Sequence, residues 1–461
     1  MNIKSVTLAV LAGLAVMIVA GQQQSDIIIK IVKGERAAIA VPDFRGTGEA
    51  QRFMSVFNET LYRDLESSGL FRMVPKSMYP LETPQRPQDF REPVVKPAPR
   101  GGRPEVIRRG PWLTDWSDPP VSANYLAFGY SAVQGDRLVL FGWLYNVTQT
   151  DLANAQILGK LYFGSLDEQG ARKVAHEFAA DIMAQFGYKS LLGTRIYFDS
   201  DRTGKGTREI WSMDPDGSNQ KRLTFYNSLS FMPAVSPDGT LLAFTSYARG
   251  RPMIMLHSLI TGARLNFYNQ EASMNATPDF TPDGKHIVFS STAAGRFAQI
   301  YIANLDGSGL RRLTFSNSID VEPKVNPKTG AEIVFVSGRS GTPQIYKMNM
   351  DGADVVRLTP GEGDAVNPSW HPDGQHIAFA WTRGYAPGNF NIFVMDVATR
   401  EFVQLTHGAG RNENPVWAPD GRHLAFSSNR SGSTQIWTML ADGTQLRQLT
   451  TEGRNMRPVW K

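Results

Sequence analysis

The chain of 461 residues contains no cysteine, so it has neither a disulfide framework nor a thiolate metal site. Other short motifs of catalysis are missing as well. There is no Gly-x-Ser-x-Gly nucleophile elbow, no His-Glu-x-x-His pair and no glycine-rich phosphate loop that opens a helix. The seven histidines stand at scattered positions, namely 176, 257, 286, 371, 376, 407 and 423. We therefore expect no metal and no cofactor. Carboxylates could still converge in the folded chain, so an enzyme stays possible on these residues alone.

An excess of charge of one sign is lacking outside a single segment. The net charge is +5, and residues 85–109 hold seven basic side chains against three acidic ones. The rest of the chain is nearly neutral, which argues against a nucleic-acid-binding face. The surrounding stretch, residues 80–120, is rich in proline and basic residues, and this composition predicts a mobile loop.

The one long apolar run lies at the start of the chain. A basic Lys4 precedes the uncharged residues 6–20, and the small residues Ala20 and Gly21 follow before a polar stretch. This order is typical of a secretory signal peptide, and the run is short for a membrane-spanning helix. We expect a signal peptide at residues 1–21 and a periplasmic protein; an uncleaved anchor is the alternative.

The second half of the chain is an internal repeat. Prolines that each precede a Pro-Asp-Gly or similar turn recur 45, 45, 45 and 47 residues apart, at Pro233, Pro278, Pro323, Pro368 and Pro415. Each unit also contains short apolar runs and, in most units, an Asp-Gly hairpin turn. This period is typical of four-stranded propeller blades.

The two ends of the repeat predict how the ring closes. The first unit has only three strand-like segments, at 194–200, 209–213 and 220–224, and lacks its opening strand. Residues 457–461 match an opening strand and nothing more, and Pro458 continues the period. We predict a six-bladed β-propeller over residues 191–461, closed by the C-terminal strand, because closure removes two exposed sheet edges.

Residues 22–190 have a different pattern, which predicts a small α/β domain. An apolar stripe over 49–68 ends at Gly69, and a second stripe ends at Gly187, so both predict helices. Ser165 and Glu168 have the spacing of a capping box before the second helix. Strand-like segments lie at 26–32, 37–41, 70–74, 125–133, 137–145 and 156–163. The predicted fold class is therefore multidomain, a small N-terminal α/β domain followed by an all-β propeller.

The repeats differ most just before each leading proline. We place these residues where one blade ends and the next begins, on one rim of the central channel. A rim that mixes amides, carboxylates and apolar groups suits a protein partner, although a variable, solvated loop ring is the alternative. The candidate contact residues on the rim are Met232, Asn275, Ala276, Thr277, Val321, Glu322, Asn367, Glu413, Asn414 and Arg457.

Several segments of the first domain and of its junction with the propeller resemble the TolB family, which belongs to the periplasmic part of the Tol–Pal system. They are Asp-Ile-Ile-Ile-Lys-Ile-Val-Lys-Gly at 26–34, Ile-Ala-Val-Pro-Asp-Phe at 39–44, Asp-Leu-Glu-Ser-Ser-Gly-Leu-Phe-Arg at 64–72, Ala-His-Glu-Phe-Ala-Ala-Asp-Ile at 175–182 and Thr-Arg-Ile-Tyr-Phe at 194–198. The order of the two domains adds to the likeness, which covers nearly the whole mature chain.

The resemblance implies a protein-binding scaffold without catalysis, a nucleic-acid partner or a small-molecule substrate. It implies that the peptidoglycan-associated lipoprotein, Pal, binds the rim at Asn275, Ala276, Thr277, Val321 and Glu322. It also implies that residues 22–33 communicate with the inner-membrane Tol proteins, in particular TolA, for outer-membrane integrity and envelope constriction at cell division. The residues expected to make that contact are Asp26, Ile27, Ile28, Ile29 and Lys30.

Two other functions stay open on the residues alone. Carboxylates that converge in the propeller channel, with a calcium ion, would make the chain a secreted hydrolase or lactonase. A regulatory propeller cut from a larger peptidase is the third hypothesis. A metal on the propeller axis would favour the hydrolase over the scaffold.

Overall fold

The computed structural model of the protein describes residues 36–96 and 105–461. The predicted signal peptide and the predicted contact residues Asp26 to Lys30 lie outside the described residues. The described chain divides into two compact units, one ending at Leu192 and the other comprising Gly193–Lys461. No helix in the described part of the chain has the length and apolar character needed to cross a bilayer.

The first unit is an α/β unit. Its strands are β1 (Ala37–Ala40), β2 (Arg45–Gly46), β3 (Phe71–Met73), β4 (Val94–Lys96), β5 (Glu105–Ile107), β6 (Tyr125–Gln134), β7 (Arg137–Asn146) and β8 (Gln156–Ser165). Its helices are α1 (Met54–Ser67), α2 (Thr114–Ser117), α3 (Leu152–Ala155) and α4 (Glu168–Gln185), with 3-10 turns at Gly48–Phe53, Lys76–Met78 and Pro87–Asp89.

One sheet organises this unit, in the order β3-β1-β6-β7-β8, with β2 added beside β6. The central strand β1 runs parallel to both β3 and β6, whereas β6, β7 and β8 form the predicted antiparallel meander. Helices α1 and α4 cover one face, where Phe57, Leu61 and Phe178 are fully buried. The Phe178 ring packs over Gly142 so closely that a Cβ there would lie 2.9 Å from it. A side chain at Gly142 would therefore push the helix away from the sheet.

The opposite face corrects the prediction of a mobile loop at residues 80–120. In the described part of this stretch, Phe90, Leu113 and Trp116 are buried against Leu126 and Phe128 of the sheet. Strands β4 and β5 pair antiparallel within it. The prolines and basic residues dominate the composition, but the buried apolar side chains stabilise the packing of the segment on the sheet.

The predicted capping box of α4 is also wrong in its details. The N-cap is Asp167, whose carboxylate accepts a hydrogen bond from the Gly170 N–H at 2.7 Å. Ser165 instead donates its hydroxyl to that same carboxylate. The helix begins two residues later than a Ser165 cap would require, because the carboxylate of Asp167 takes the free N–H groups of the first turn.

The second unit is the predicted six-bladed propeller. Blade 1 holds β9 (Ile196–Ser200), β10 (Glu209–Met213) and β11 (Lys221–Arg222); blade 2 holds β12 (Ser230–Val235), β13 (Leu241–Ser246), β14 (Met253–Ser258) and β15 (Arg264–Leu265); blade 3 holds β16 (Asn275–Phe280), β17 (His286–Ser291), β18 (Gln299–Asn304) and β19 (Arg311–Arg312).

The remaining blades repeat the pattern. Blade 4 holds β20 (Asp320–Val325), β21 (Glu332–Ser340), β22 (Thr342–Asn349) and β23 (Val356–Arg357); blade 5 holds β24 (Ala365–Trp370), β25 (His376–Trp381), β26 (Asn391–Asp396) and β27 (Phe402–Gln404); blade 6 holds β28 (Asn412–Trp417), β29 (His423–Ser428), β30 (Gln435–Leu440) and β31 (Arg447–Gln448).

The last strand, β32 (Asn455–Trp460), closes the ring as predicted. It pairs antiparallel with β9 and becomes the inner strand of blade 1. The indole N–H of Trp460 donates to the Thr194 hydroxyl at 3.0 Å. Neighbouring inner strands contact one another around the whole ring.

One phenylalanine recurs at the same place in every blade. Each lies in the strand next to the inner one and is fully buried: Phe198, Phe244, Phe289, Phe335, Phe379 and Phe426. Burying one such ring contributes about 1.5–3 kcal/mol. The blades therefore have small cores of the same design, which explains the regular period of the sequence.

Candidate protein-binding rim

The ten predicted rim residues do not lie in loops between blades. All of them lie within the inner strands β12, β16, β20, β24, β28 and β32. Each inner strand has a β-bulge at its leading proline, where the pairing register shifts. The residue before each proline takes a left-handed conformation with φ between 53° and 55°. We call these six the ring residues: Met232, Thr277, Glu322, Asn367, Asn414 and Arg457.

This conformation is strained for residues other than glycine, asparagine and aspartate, and above all for the β-branched Thr277. A bulge normally leaves backbone N–H groups without their partners in the sheet. Here the residue after the ring residue is a proline, which has no N–H, so one of these unpaired groups is avoided. Only the N–H of the ring residue then needs an acceptor. Side chains of the preceding blade supply that acceptor at four positions.

These four hydrogen bonds join four of the six pairs of neighbouring blades. The Thr277 N–H donates to the Thr245 hydroxyl at 3.1 Å, and the Arg457 N–H donates to the Ser427 hydroxyl at 3.1 Å. The Asn414 N–H donates to the Asn367 side-chain oxygen at 3.3 Å. The ring residues therefore help to fix the spacing of the blades, in addition to lining the channel.

Glu322 is the most constrained of them. Its carboxylate accepts the Asn367 N–H at 2.8 Å and the Asn367 amide group at 3.1 Å. Enclosure in the channel wall raises the pKa of the Glu322 carboxyl, and the hydrogen bonds from Asn367 oppose that rise. The carboxylate is thus a blade-to-blade brace that costs free energy to ionise.

Arg457 brings a fixed cation to the same ring. Its guanidinium lies 3.2 and 3.3 Å from the two oxygens of Asp199, which is fully buried and also pairs with Arg208. The Arg457 guanidinium also lies over the Phe231 ring, 5.2 Å from its centroid. The ring therefore presents amide, hydroxyl, thioether, carboxylate and guanidinium groups in one circle.

The other predicted rim residues differ in exposure. Val321 and Glu413 are half-buried beside the ring, and Glu413 pairs with Arg411 at 2.6 Å. Asn275 is fully buried, with its amide group donating to the Gln270 carbonyl, and Ala276 is nearly as buried. Asn275 and Ala276 therefore support the rim from behind.

Sequence reasoning missed the most exposed apolar groups at this end of the propeller. The loops that lead into β12 and β20 expose Phe225 by 67% and Phe315 by 74%, and Leu229 and Ile319 beside them are also exposed. An arginine lies over each phenylalanine ring, Arg222 at 4.5 Å and Arg312 at 4.6 Å. Exposed aromatic and arginine groups together are typical of protein-binding surfaces.

A signal for these two positions is present in the repeat. Both phenylalanines follow a Leu-Thr pair, and the same pair is followed in other blades by Pro360, His407 and Thr451. An aromatic residue at a solvent-facing position of a repeat, where other copies have small or polar residues, indicates a feature that the fold does not need.

Among the described residues, three carboxylates of the inner strands have partners within the protein. Asp279 pairs with Lys324 at 3.3 Å, and Glu322 and Glu413 have the partners described above. Within residues 36–96 and 105–461, the one group of three side chains placed to hold a metal ion is in a turn of blade 5. That turn lies at the far end of the inner strand from the rim.

Comparison with known proteins places the chain in a family. The model of the TolB beta propeller domain matches residues 185–384 and 361–461, and that of the TolB amino-terminal domain matches residues 26–92. The chain belongs to the TolB family. This confirms the resemblance read from the segments between residues 26 and 198.

Curated relatives agree with this placement. A TolB homolog of Chlorobaculum tepidum is 32% identical over 242 residues, which is 52% of this chain and 48% of the relative. A Tol-Pal system protein TolB of Cereibacter sphaeroides is 32% identical over 267 residues, covering 55% of this chain and 52% of the relative. The chain thus spans about half the length of these TolB relatives.

The fold agrees over a greater length. The crystal structure of TolB from Acinetobacter baumannii matches with a TM-score of 0.73, covering 93% of this chain and 97% of that one. At 22% identity this match shows the shared fold alone. It confirms the predicted class, a small N-terminal α/β region with a six-bladed propeller.

Proposed function

We propose that this protein is a non-enzymatic periplasmic scaffold of the Tol–Pal system. In this proposal the propeller rim binds the peptidoglycan-associated lipoprotein, Pal, and residues 22–33 bind the inner-membrane protein TolA. The connection between the two membranes would support outer-membrane integrity and envelope constriction during cell division. Membership of the TolB family supports the assignment of this protein to the Tol–Pal system.

The observation that carries the Pal assignment is the contrast between repetition and variety at the rim. Six inner strands share one bulge and one backbone conformation, yet their ring residues have five different side-chain chemistries. A fold that needed only closure could repeat one side chain. Exposed Phe225 and Phe315 add apolar area beside these polar groups, as protein interfaces require.

The decisive experiment is titration calorimetry of the mature protein with the soluble domain of Pal from the same organism. Two rim variants, Phe315→Ser and Glu322→Arg, test two chemistries of the rim. The matched control is Ile260→Ser, because Ile260 is 76% exposed but lies in a hairpin turn at the other end of blade 2.

We expect the wild type and Ile260→Ser to bind with a Kd in the micromolar range or below. Phe315→Ser should weaken binding by about tenfold, the effect of losing one central aromatic contact. Glu322→Arg should weaken it further, since it reverses a ring charge and removes the brace on Asn367. Absence of binding by the folded wild type, or equal loss in the Ile260→Ser control, would refute the Pal assignment.

A further inference from the structure

The turn between β24 and β25 in blade 5 brings together side chains that are far from the rim. His371 and His376 lie on either side of Asp373, with 3.0 Å between His371 Nδ1 and Asp373 Oδ1 and 2.7 Å between His376 Nδ1 and Asp373 Oδ2. One ligand atom from each residue lies within 4.8 Å of the others. Both histidines are buried, while Asp373 is partly exposed and so reachable from solvent.

Hydrogen bonding leaves a contradiction at His371. Its Nε2 lies 2.8 Å from the Gly421 carbonyl oxygen, so Nε2 carries the proton and donates it. The Nδ1 atom then has a lone pair, which accepts the Asp373 N–H at 3.1 Å. That same lone pair faces the Asp373 carboxylate oxygen at 3.0 Å. Two acceptor atoms this close need a cation between them, which is either a second proton on the ring or a metal ion.

His376 leaves a second group unexplained. Its Nδ1 faces Asp373, while its Nε2 is buried, with the residue only 4% exposed, and has no hydrogen-bond partner among the described residues. The Asp396 carboxylate lies opposite that Nε2 at 3.8 Å, on the paired strand β26. A buried ring nitrogen without a partner is costly, so this arrangement has a reason beyond the turn.

The geometry points to a divalent transition-metal site of the Zn²⁺ class, with His371 Nδ1, His376 Nδ1 and the Asp373 carboxylate as protein ligands. Imidazole and carboxylate are ligands that such ions accept, and three protein ligands leave room for water on the exposed Asp373 side. The ion would take the place of the missing cation between His371 and Asp373. The Asp373 N–H would then lose its bond to His371 Nδ1.

The groups around the three ligands have the order that metal sites require. A metal-bound histidine donates its other ring N–H to a carbonyl or a carboxylate. His371 already does so toward Gly421. When a metal binds His376 Nδ1, the proton leaves Nδ1 and Nε2 takes one up, so that Nε2 faces Asp396 as a donor. This shift of the proton within the imidazole conserves protons, and it lets the buried Nε2 of His376 interact as an N–H with the Asp396 carboxylate.

Other blades show what the turn alone requires. Asp238, Asp283 and Asp420 occupy the position of Asp373 and bond to the backbone of their own turns. Blade 6 also repeats the aspartate–histidine pair, with 2.6 Å between His423 Nδ1 and Asp420 Oδ2. The turn therefore accounts for one such pair. In blades 2 and 3 the residues at the His371 position, Ser236 and Thr281, donate their hydroxyl groups to the turn aspartate. The turn therefore also accounts for a donor at this position. It does not account for an imidazole whose Nε2 already donates to Gly421, or for Asp396, whose counterpart in blade 6 is Leu440.

This difference supplies a matched set of variants for the untagged mature protein. His371→Ala gives blade 5 the residue that blade 6 tolerates, and His376→Gln removes the second nitrogen ligand. His423→Gln is the control. It removes the histidine of blade 6 that faces Asp420, the counterpart of Asp373. Zinc chloride is titrated by calorimetry, and Co²⁺ is added to record the visible absorption of a tetrahedral site. Thermal unfolding of each variant without metal shows that it is folded.

We expect one Zn²⁺ per chain and a Co²⁺ spectrum for the wild type and for His423→Gln. His371→Ala should weaken Zn²⁺ binding by about tenfold or more and abolish the Co²⁺ spectrum, the size of effect usual for losing a ligand group. If His376→Gln does not fold, His371→Ala carries the test alone. Wild-type protein that binds no Zn²⁺, or Zn²⁺ binding that is unchanged in folded His371→Ala, would overturn the proposal.

Discussion

The two units of this chain stabilise β-structure in opposite ways. The α/β unit builds one sheet of unlike strands and covers each face with its own apolar core. The propeller builds six small sheets of one design, each with the same buried phenylalanine, and joins neighbours through ring contacts. In the first unit each long-range pairing is unique, whereas in the second a single interaction type is repeated until the ring closes.

This difference decides how far a local change is felt. A core substitution in the α/β unit affects one sheet, and its cost depends on the cavity it leaves. A blade contacts only its neighbours, so most changes in the propeller should stay local as well. The exception is β32, because this strand from the end of the chain completes blade 1 and packs against the inner strands of blades 6 and 2.

Removal of that strand should have the largest effect. Deleting residues 455–461 removes the inner strand of blade 1, and with it the inner pairing of β9 and the packing of blade 1 on blade 6. We therefore expect hydrogen-exchange protection to fall in all six blades. Strands β6 to β8 should keep their protection, since none of their partners lies in the propeller. Unchanged protection in blades 3 and 4 would show that closure is not what holds the ring.

A core deletion in the α/β unit is the next largest change. Phe178→Ala removes a fully buried ring that packs on Gly142, and we expect a loss of about 3–5 kcal/mol in the free energy of unfolding of this unit. Phe163→Ala is the control, because Phe163 is 42% exposed on β8 and lies outside the buried core. Urea unfolding followed by hydrogen exchange measures both variants, and an equal loss for the two would contradict the assigned core.

The same contrast explains what the sequence could predict. Repetition made the propeller predictable from the sequence. The five spaced prolines define the blades, and the incomplete first unit together with the single C-terminal strand indicates how the ring closes. The α/β unit has each signal once. Its proline-rich stretch therefore looked like a loop, because the apolar Phe90, Leu113 and Trp116 are separated by many polar residues and meet only on the folded sheet.

The sequence singles out the positions of the ring residues but does not indicate their geometry, and their role in binding stays a prediction. The residue before each proline stands out in an alignment of the repeats, and the ring residues were found in this way. Their place within the strands depends on bulges, and their hydrogen bonds join different blades, which no single repeat reveals. The contact of His371 and His376 with Asp373 was missed for another reason. These residues are close in sequence, but only the conformation of the turn brings their side chains together.

The smallest expected effect concerns Glu322, whose carboxylate joins blade 4 to Asn367 of blade 5. Enclosure raises the pKa of its carboxyl, so the folded protein is penalised when this group ionises. Because the pKa of Glu322 is higher in the folded protein than in the unfolded chain, its carboxyl contributes fully to the free energy of unfolding below the unfolded-state pKa. This contribution is lost as the pH rises through the folded-state pKa. Wild-type stability should therefore carry a cost near neutral pH that is absent in acid.

Glu322→Gln isolates this cost, because glutamine keeps an oxygen for the Asn367 N–H but cannot ionise. We expect the variant to gain stability relative to the wild type as the pH rises from 4 to 7, by about 1 kcal/mol in the free energy of unfolding. Urea unfolding at several pH values measures the difference. A difference that stays constant across this range would mean that Glu322 ionises as easily in the channel as in water, and that the ring braces its blades by hydrogen bonding alone.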